Sequence, residues 1–392
     1  MALTLSGTNG VVGAGFSITP GGAVAGIVTV GAAVTISESG IEASGIGITC
    51  ANINGAQIGG RRNIVINGAM QVAQRGTSST SDGYKTVDRF RIDDSGEDEA
   101  CTREQVAVTS GGAYDSGFRN CLKITNGNQT SGAGSGDYMQ FAHRFEAQDL
   151  ANSGWNYTSS SSFITLSFWL KSSVAQAFSG SLRTHDGTEY SYKFDTPSLS
   201  ANTWTKVIKT IPGNSNLTFA DDNGLGMTFY LYAFLGTSYT TANSDTETWI
   251  TGTAGNYSND MTTTWWTTND ATLEITGIQL EVGSQATPFE HRSFGDELAL
   301  CMRYYEGVYM SDGTALMKSY LSYGGSANFE YQFKVQKRAI PTWSLEGNAA
   351  WAGATPNAYE SQGSAVFQDN GGTLFSLGDA SGDLCGSFDA EL

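Results

Sequence analysis

Seven aromatic residues lie in segments too polar to be explained by a core. Trp155 and Tyr157 sit in SGWNYTSSSS, Tyr239 in GTSYTTANSD, Trp249 in DTETWITG, Tyr257 in GNYSND, and Trp265 and Trp266 in TTTWWTTND. Flat rings among amides, carboxylates and hydroxyls have the chemistry of sugar binding, because the ring covers the C–H face of a pyranose while its neighbours meet the hydroxyls. These seven are the carbohydrate-binding candidates, with Trp249, Tyr257, Trp265 and Trp266 foremost, although each alone serves equally well as a loop anchor. Trp169 and Trp204 fall on strand patterns and read as core.

Other chemistry is thinner. The run DDSGEDE offers Asp93, Asp94, Glu97 and Asp98 as oxygen ligands for a structural calcium ion. It does not match the EF-hand spacing, and a solvated acidic turn is the simpler reading. Glycoside hydrolysis needs two carboxylates across a cleft, one of them held protonated. Acids are abundant, as in Asp221-Asp222, but abundance is not pairing, and no long parallel β-helix pattern is present. The histidines are His143, His185 and His291, and no GxSxG elbow accompanies them. The chain is therefore expected to bind rather than catalyse, with no cofactor beyond that calcium.

The elements that must position these residues follow from composition and patterning. With 392 residues and 40% hydrophobic content, the chain can build two or three cores. Its 49 glycines, six prolines and 11% aromatic content point to many short strands joined by tight turns. A formal charge of −17, from 38 acids against 21 bases, argues against nucleic-acid binding and against an anionic membrane surface. No apolar run is long enough to span a bilayer, and MALTLSGTNG lacks the features of a signal peptide, so the chain is expected to be made in a host cytoplasm and to stay there until released. Five cysteines, at 50, 101, 121, 301 and 385, fit no CxxC spacing and read as buried free thiols, although Cys101 and Cys121 flank a hairpin that could bring them together.

Three regions emerge. Residues 1–61 are rich in Gly, Ala, Val and Ile, with strands expected at Gly26–Val30, Ala33–Ser37 and Gly45–Cys50. So few bulky side chains cannot close a core, so this segment is expected to meet copies of itself or to dock on another protein. Residues 62–292 carry the longer strands: Phe163–Ser173 with Ile164, Leu166, Phe168 and Leu170 on one face, a hairpin turning at Asp186-Gly187, then Thr203–Ile211 and Gly226–Gly236. This is the pattern of a sandwich or jelly roll. In ATLEITGIQLEVG the alternation slips by one residue, which predicts a bulge at Gly277. Residues 293–392 open with a helix predicted over Ser293–Glu306, capped by Ser293 and Asp296, striped by Phe294, Leu298, Cys301, Met302 and Tyr305, and stopped by Gly307. Short β runs follow, giving a small α+β domain, with the amphipathic helix the obvious piece to pack against symmetry mates.

The stretch IQLEVGSQATPFEHRSFGDELALCMRYYE, from Ile278 to Glu306, resembles a segment of bacteriophage tail fibres and receptor-binding proteins, as do RRNIVINGAMQVAQRGTS with YKTVDRFRI and the later FKVQKRAIPTWSLEG. Past Gly347 no further motif is matched. The resemblance implies a mainly β molecule: a Gly-rich N-terminal segment that attaches to virion proteins and trimerises, a carbohydrate-binding-module-like β-sandwich, and a linking helix with a small C-terminal domain. It further implies a homotrimer carried on the virion as a tail fibre, adhering to a host surface glycan. A structural capsid fibre or tail adaptor, or a polysaccharide depolymerase, are the alternative readings.

Overall fold

A computed structural model describes residues 61–241, 245–253, 255–309, 326–346, 349–353, 355–370, 374–378 and 384–392, together with short strands outside these ranges. Met1–Ile53 and Asn54–Leu392 form two compact units. In the first, Val34–Ser37 pairs antiparallel with Gly40–Ala43. The strands expected at Gly26–Val30 and Gly45–Cys50, and Cys50 itself, lie outside the described residues.

The sandwich consists of two six-stranded sheets. The first runs Thr205–Pro212, Phe163–Ser172, Thr272–Val282, Asn120–Thr125, Thr102–Ala107 and Ser78–Ser79 in spatial order. The second runs Trp249–Thr251, Tyr190–Asp195, Ser179–Thr184, Leu225–Leu235, Tyr138–Glu146 and Phe90–Ser95. Strand alternation decides what lies between them. Ile164, Leu166, Phe168 and Leu170 from the first sheet meet Phe141, Leu182, Phe194, Met227, Phe229 and Leu231 from the second in one dry core. Trp169 sits between core residues and so faces outward, half-buried beside Trp204, Phe118 and Ala113. The expectation that Trp169 and Trp204 belong to the main core is thus corrected.

The bulge stands at Gly277, where the register passes from Ser167 opposite Gln279 to Trp169 opposite Thr276. Gly277 has φ +66°, and an added Cβ would lie 2.5 Å from Cζ of Phe118. Past the bulge, one edge of the closing strand has no neighbouring strand among the described residues. The opening segment fills it: Ile64 N–H donates to Leu280 O at 2.9 Å, Ile278 N–H to Gly68 O at 3.0 Å, and the Asn63 amide donates to Ile278 O while accepting from Leu280 N–H. Asn67, in left-handed backbone, then donates through its side chain to Val72 O and Asp88 O and accepts from Gln71 and Val72. Its own N–H donates to Glu297 Oε1 at 2.5 Å, which fixes the linking helix.

That helix spans Phe294–Met302. Ser293 Oγ accepts from Asp296 N–H at 3.2 Å and donates to the Asp296 carboxylate at 2.6 Å, so the cap is as predicted. The helix is shorter than expected. Tyr305–Tyr309 already form a strand that includes Gly307, so Gly307 ends nothing, and Phe294 is exposed. Cys301 and Tyr304 pack on Ile66 and Val72 of the opening segment. The head beyond is built of strands around Val308, Ala365, Phe367, Leu377, Cys385 and Phe388.

Sandwich and head meet through buried charge. Arg89 is fully buried, its guanidinium lies 3.4 Å from the Tyr304 ring, and it pairs with Glu391. Arg75 stacks on Tyr305 at 3.6 Å and reaches Asp389 and Glu391 at 3.2 and 3.3 Å. Glu146 accepts from Arg303 and from the Tyr304 hydroxyl. Lys337 donates to Met302 O and Glu306, while Arg338 holds Ala390 O, Asn223 O and Glu391 O.

Two stability outcomes follow. Gly277→Ala meets both a left-handed φ and Phe118, and should cost about 2–3 kcal/mol in denaturant unfolding with the m-value unchanged. Glu391→Gln leaves Arg89 buried with its charge unanswered and should cost about 3–5 kcal/mol in the same measurement, whereas Asp296→Asn at the exposed cap should cost under about 1 kcal/mol.

Candidate functional site

The outer face of the second sheet carries polar and aromatic side chains in rows set by register. Arg144, Thr228, Arg183 and Ser191 lie side by side on adjacent strands. The next row is Arg91, Ala142, Tyr230, Ser181 and Lys193, and the next Asp93, Gln140, Tyr232, Ser179 and Asp195. Described residues on either side of the edge strand Trp249–Thr251, Gly236–Thr241 and Gly255–Met261, lie against part of this face. A short parallel pair, Thr240–Thr241 with Ser258–Asn259, holds them together. Asn259 donates to Asp195 at 2.6 Å, and buried Lys193 donates to Thr241 and Asn256 at 3.2 and 2.7 Å.

Between these residues and the sheet lies a pocket of about 250 Å³ lined by Tyr138, Gln140, Arg183, Tyr230, Leu235, Tyr239 and Tyr257. Tyr257 N–H donates to Tyr239 O at 2.9 Å, which lays the two rings parallel with centroids 6.5 Å apart. Tyr138 meets Tyr239 edge-on at 5.7 Å. The Arg183 guanidinium sits 3.8 Å from the Tyr257 ring and is gripped by Glu189 through bonds of 2.8 to 3.1 Å. The result is a half-open hollow with tyrosine walls and a fixed guanidinium. It can stack against an apolar ring face while Gln140, Arg183 and the tyrosine hydroxyls bond to hydroxyl groups.

Of the seven aromatic candidates, the structure brings together two here, Tyr239 and Tyr257. Trp265 and Trp266 have no accessible surface: they sit in a single helical turn, Thr264–Thr267, and donate their indole N–H to Thr272 O and Gly132 O at 3.1 and 2.9 Å. Trp155 and Trp249 are buried in the main core with N–H bonds to Ser162 O and Pro212 O. Tyr157 packs edge-on against Phe219 at 5.0 Å on the margin of that core. The expectation of exposed stacking rings is therefore corrected for all four tryptophans. Each carries a satisfied N–H inward, so polar neighbours in sequence did not keep it outside. Arg183, Gln140, Tyr138 and Tyr230, which line the pocket, were not among the sequence candidates; the outward alternation of Tyr230 and Tyr232 in GMTFYLYAFLG was their one local signal.

The calcium candidates do not share a centre. Asp93 faces outward and holds Arg91, while Asp94 faces inward, paired with Arg103 and bonded by Cys101 Sγ. Burial first, and then the neighbouring Asp82, push Asp94 up to about 7. Asp98 accepts from Ser131 N–H and Thr130 Oγ1 on another loop, and Glu97 is only half-buried. Among the described residues no three His, Cys, Asp or Glu side chains are gathered as a metal site would need, so these residues do not fit calcium. Cys101 and Cys121 stand near opposite ends of the ladder between Thr102–Ala107 and Asn120–Thr125, and both are buried free thiols.

His185 stands beside this face, its Nε2 2.9 Å from Thr228 Oγ1. Burial, and then the charge of Arg183, hold it down to about 4.

Comparison with known protein families finds no match, and comparison with curated proteins finds none. Among solved structures, the chain is similar to the enzymatically active domain of tailspike protein 4 of Bacteriophage CBA120, with 12% identity, a TM-score of 0.30, 56% of this chain covered and 21% of that one. The chain thus spans about a fifth of the tailspike. A putative sugar-binding protein from Bacteroides thetaiotaomicron also has 12% identity and a TM-score of 0.30, with 56% of this chain and all of that one covered. The family 11 carbohydrate-binding module of Clostridium thermocellum cellulase Lic26A-Cel5E gives 12% identity, a TM-score of 0.24, and coverage of 55% and 98%.

The depressed His185 predicts a pH response. A histidine neutral in the fold and free to protonate when unfolded contributes stability that is complete above pH ~6.5 and declines as pH falls towards ~4. An NMR titration of the His185 ring should give a midpoint near pH 4. His185→Gln should lessen the slope of the stability profile across that window by one group's share, the buried His143 keeping its own; an unshifted midpoint would remove the argument.

Proposed function

We propose that this chain is a phage tail fibre or receptor-binding protein whose sandwich adheres to a host surface glycan without cleaving it. The observation that carries the reading is the tyrosine pocket with its fixed Arg183, an arrangement suited to one or two sugar rings and lined by no aspartate or glutamate. Without a carboxylate pair, the lining offers neither the acid nor the nucleophile of glycoside hydrolysis, so capture and release is the chemistry left to it. Weak contacts to one sugar gain avidity when displayed threefold, and the proposal includes a homotrimer assembled and attached to virion proteins through the Gly-rich N-terminal region. The order of the segments resembling tail fibres, from Arg61 to Gly347, supports the assignment to a virion fibre.

The test is adhesion. Purified chain, labelled and applied to a glycan array and to whole bacteria, should bind; Tyr257→Ala and Arg183→Ala should each weaken binding at least about tenfold, since a lost stacking ring or charged hydrogen bond is worth about 1.5–3 kcal/mol. Release of reducing ends from bound polysaccharide would overturn the non-catalytic part. A compact monomer in light scattering would sink the threefold part.

A further inference from the structure

A second cavity, of about 330 Å³, lies on the opposite sheet, bordered by Trp169, Lys206, Gly277, Phe118, Phe289 and His291 among its ten lining residues. It is the larger of the two hollows. We propose that it is an independent binding site for a carboxylated pyranose, a uronic or nonulosonic acid unit.

Four features point to that ligand. Trp169 is half-buried rather than enclosed: the helix Gly111–Asp115 presses on the far side of its ring, where a Cβ on Gly112 would come within 2.7 Å, and the remaining surface borders the cavity. Phe118, Phe289 and His291 form a mutually packed cluster that lines the same cavity, with centroids 4.8 to 5.3 Å apart. This aromatic surface suits the C–H face of a pyranose. At the bulge Gly277 contributes bare backbone to the cavity wall, because its left-handed φ and the nearness of Phe118 leave no place for a side chain.

The electrostatics decide the substituent. In a chain with 38 acids and 21 bases, the ten lining residues include no carboxylate and do include a lysine and a histidine. Lys206 stands directly across the strand ladder from Trp169 and has no ion-pair partner among the described residues. The neighbouring lysine on this face, Lys171, is by contrast paired with Glu274 at 2.7 Å. An ammonium left free of ion pairs, with the hydroxyls of Ser167 and Ser116 nearby, meets a carboxylate and the hydroxyls of the same sugar together, while His291, its Nε2 donating to Ser116 O at 3.2 Å, keeps only Nδ1 for the ligand.

The site shares no residue with the tyrosine pocket, so the two stand or fall separately. Saturation-transfer NMR and tryptophan fluorescence on the full chain, with sodium glucuronate, sodium N-acetylneuraminate and neutral methyl glucoside as probes, would test it. Saturable binding of at least one acid is expected, weakening several-fold as salt rises from about 0.05 to about 0.5 M. Methyl glucoside should bind at least about tenfold less well. Lys206→Gln, at an exposed position, should abolish the preference for acid; Lys206→Arg should keep it; Tyr257→Ala should leave it unchanged. Equal binding of the neutral sugar, no binding of either acid, retention of the preference in Lys206→Gln, or its loss in Tyr257→Ala would each overturn the proposal.

Discussion

One edge of one strand governs this molecule. Beyond the bulge at Gly277, the closing strand turns its backbone donors and acceptors towards a place where no strand lies among the described residues, and buried peptide groups cannot be left without partners. The amide of Asn63 and the peptides of Ile64 and Gly68 supply what a strand would have supplied. Gly68 can do so only because it has no side chain: a Cβ there would sit 2.1 Å from Ile278 O. Once the opening segment is locked in this way, Asn67 is placed to accept the turn behind it and to bind Glu297, and the helix of the head has its anchor.

From that anchor the rest follows outward. Tyr304 and Tyr305, at the end of the helix, become platforms for Arg89 and Arg75, and these draw in the last residues of the chain through Glu391. The junction joins a small apolar contact of Ile66 and Val72 with Cys301 and Tyr304 to these buried charges, whose cost in desolvation is offset only where every partner is in place. The segments that resemble tail fibres are the ones that build it. Gln279, Glu281, Thr287 and Glu290 bond to one another and to Arg62 and Asn63, and Lys337 and Arg338 clamp the helix end and the C-terminal tail. Those residues are committed to internal bonds and so speak first to architecture, although Thr287 also borders the cavity beside Trp169.

What the sequence made legible and what it concealed divide along the same line. The core face of Phe163–Ser172, the bulge and the Ser293 cap were readable because each depends on residues adjacent in the chain. The length of the helix was not, since Tyr305 leaves it to pair with Asp389, far away in sequence. Polar surroundings misplaced Trp265 and Trp266, whose N–H groups find carbonyls at Thr272 and Gly132 and so can go inside. Arg183 was invisible as a site residue because its neighbour Tyr230 comes from a strand more than forty positions on, and only pairing of Ser179–Thr184 with Leu225–Leu235 sets them on one face.

The segment from Gly236 to Met261 provides Tyr239 and Tyr257, and fastens to the sheet both through its own edge strand Trp249–Thr251 and through side-chain bonds from Lys193 and Asp195. The floor of the pocket, with Gln140, Arg183 and Tyr230 on the sheet strands, and its rim, with Tyr239 and Tyr257, are therefore written in different parts of the chain. Mutation can reshape the rim of the pocket while the bonds that close the sandwich go untouched, so a lineage of such proteins has room to change its hold on the outside world at little risk to its own assembly.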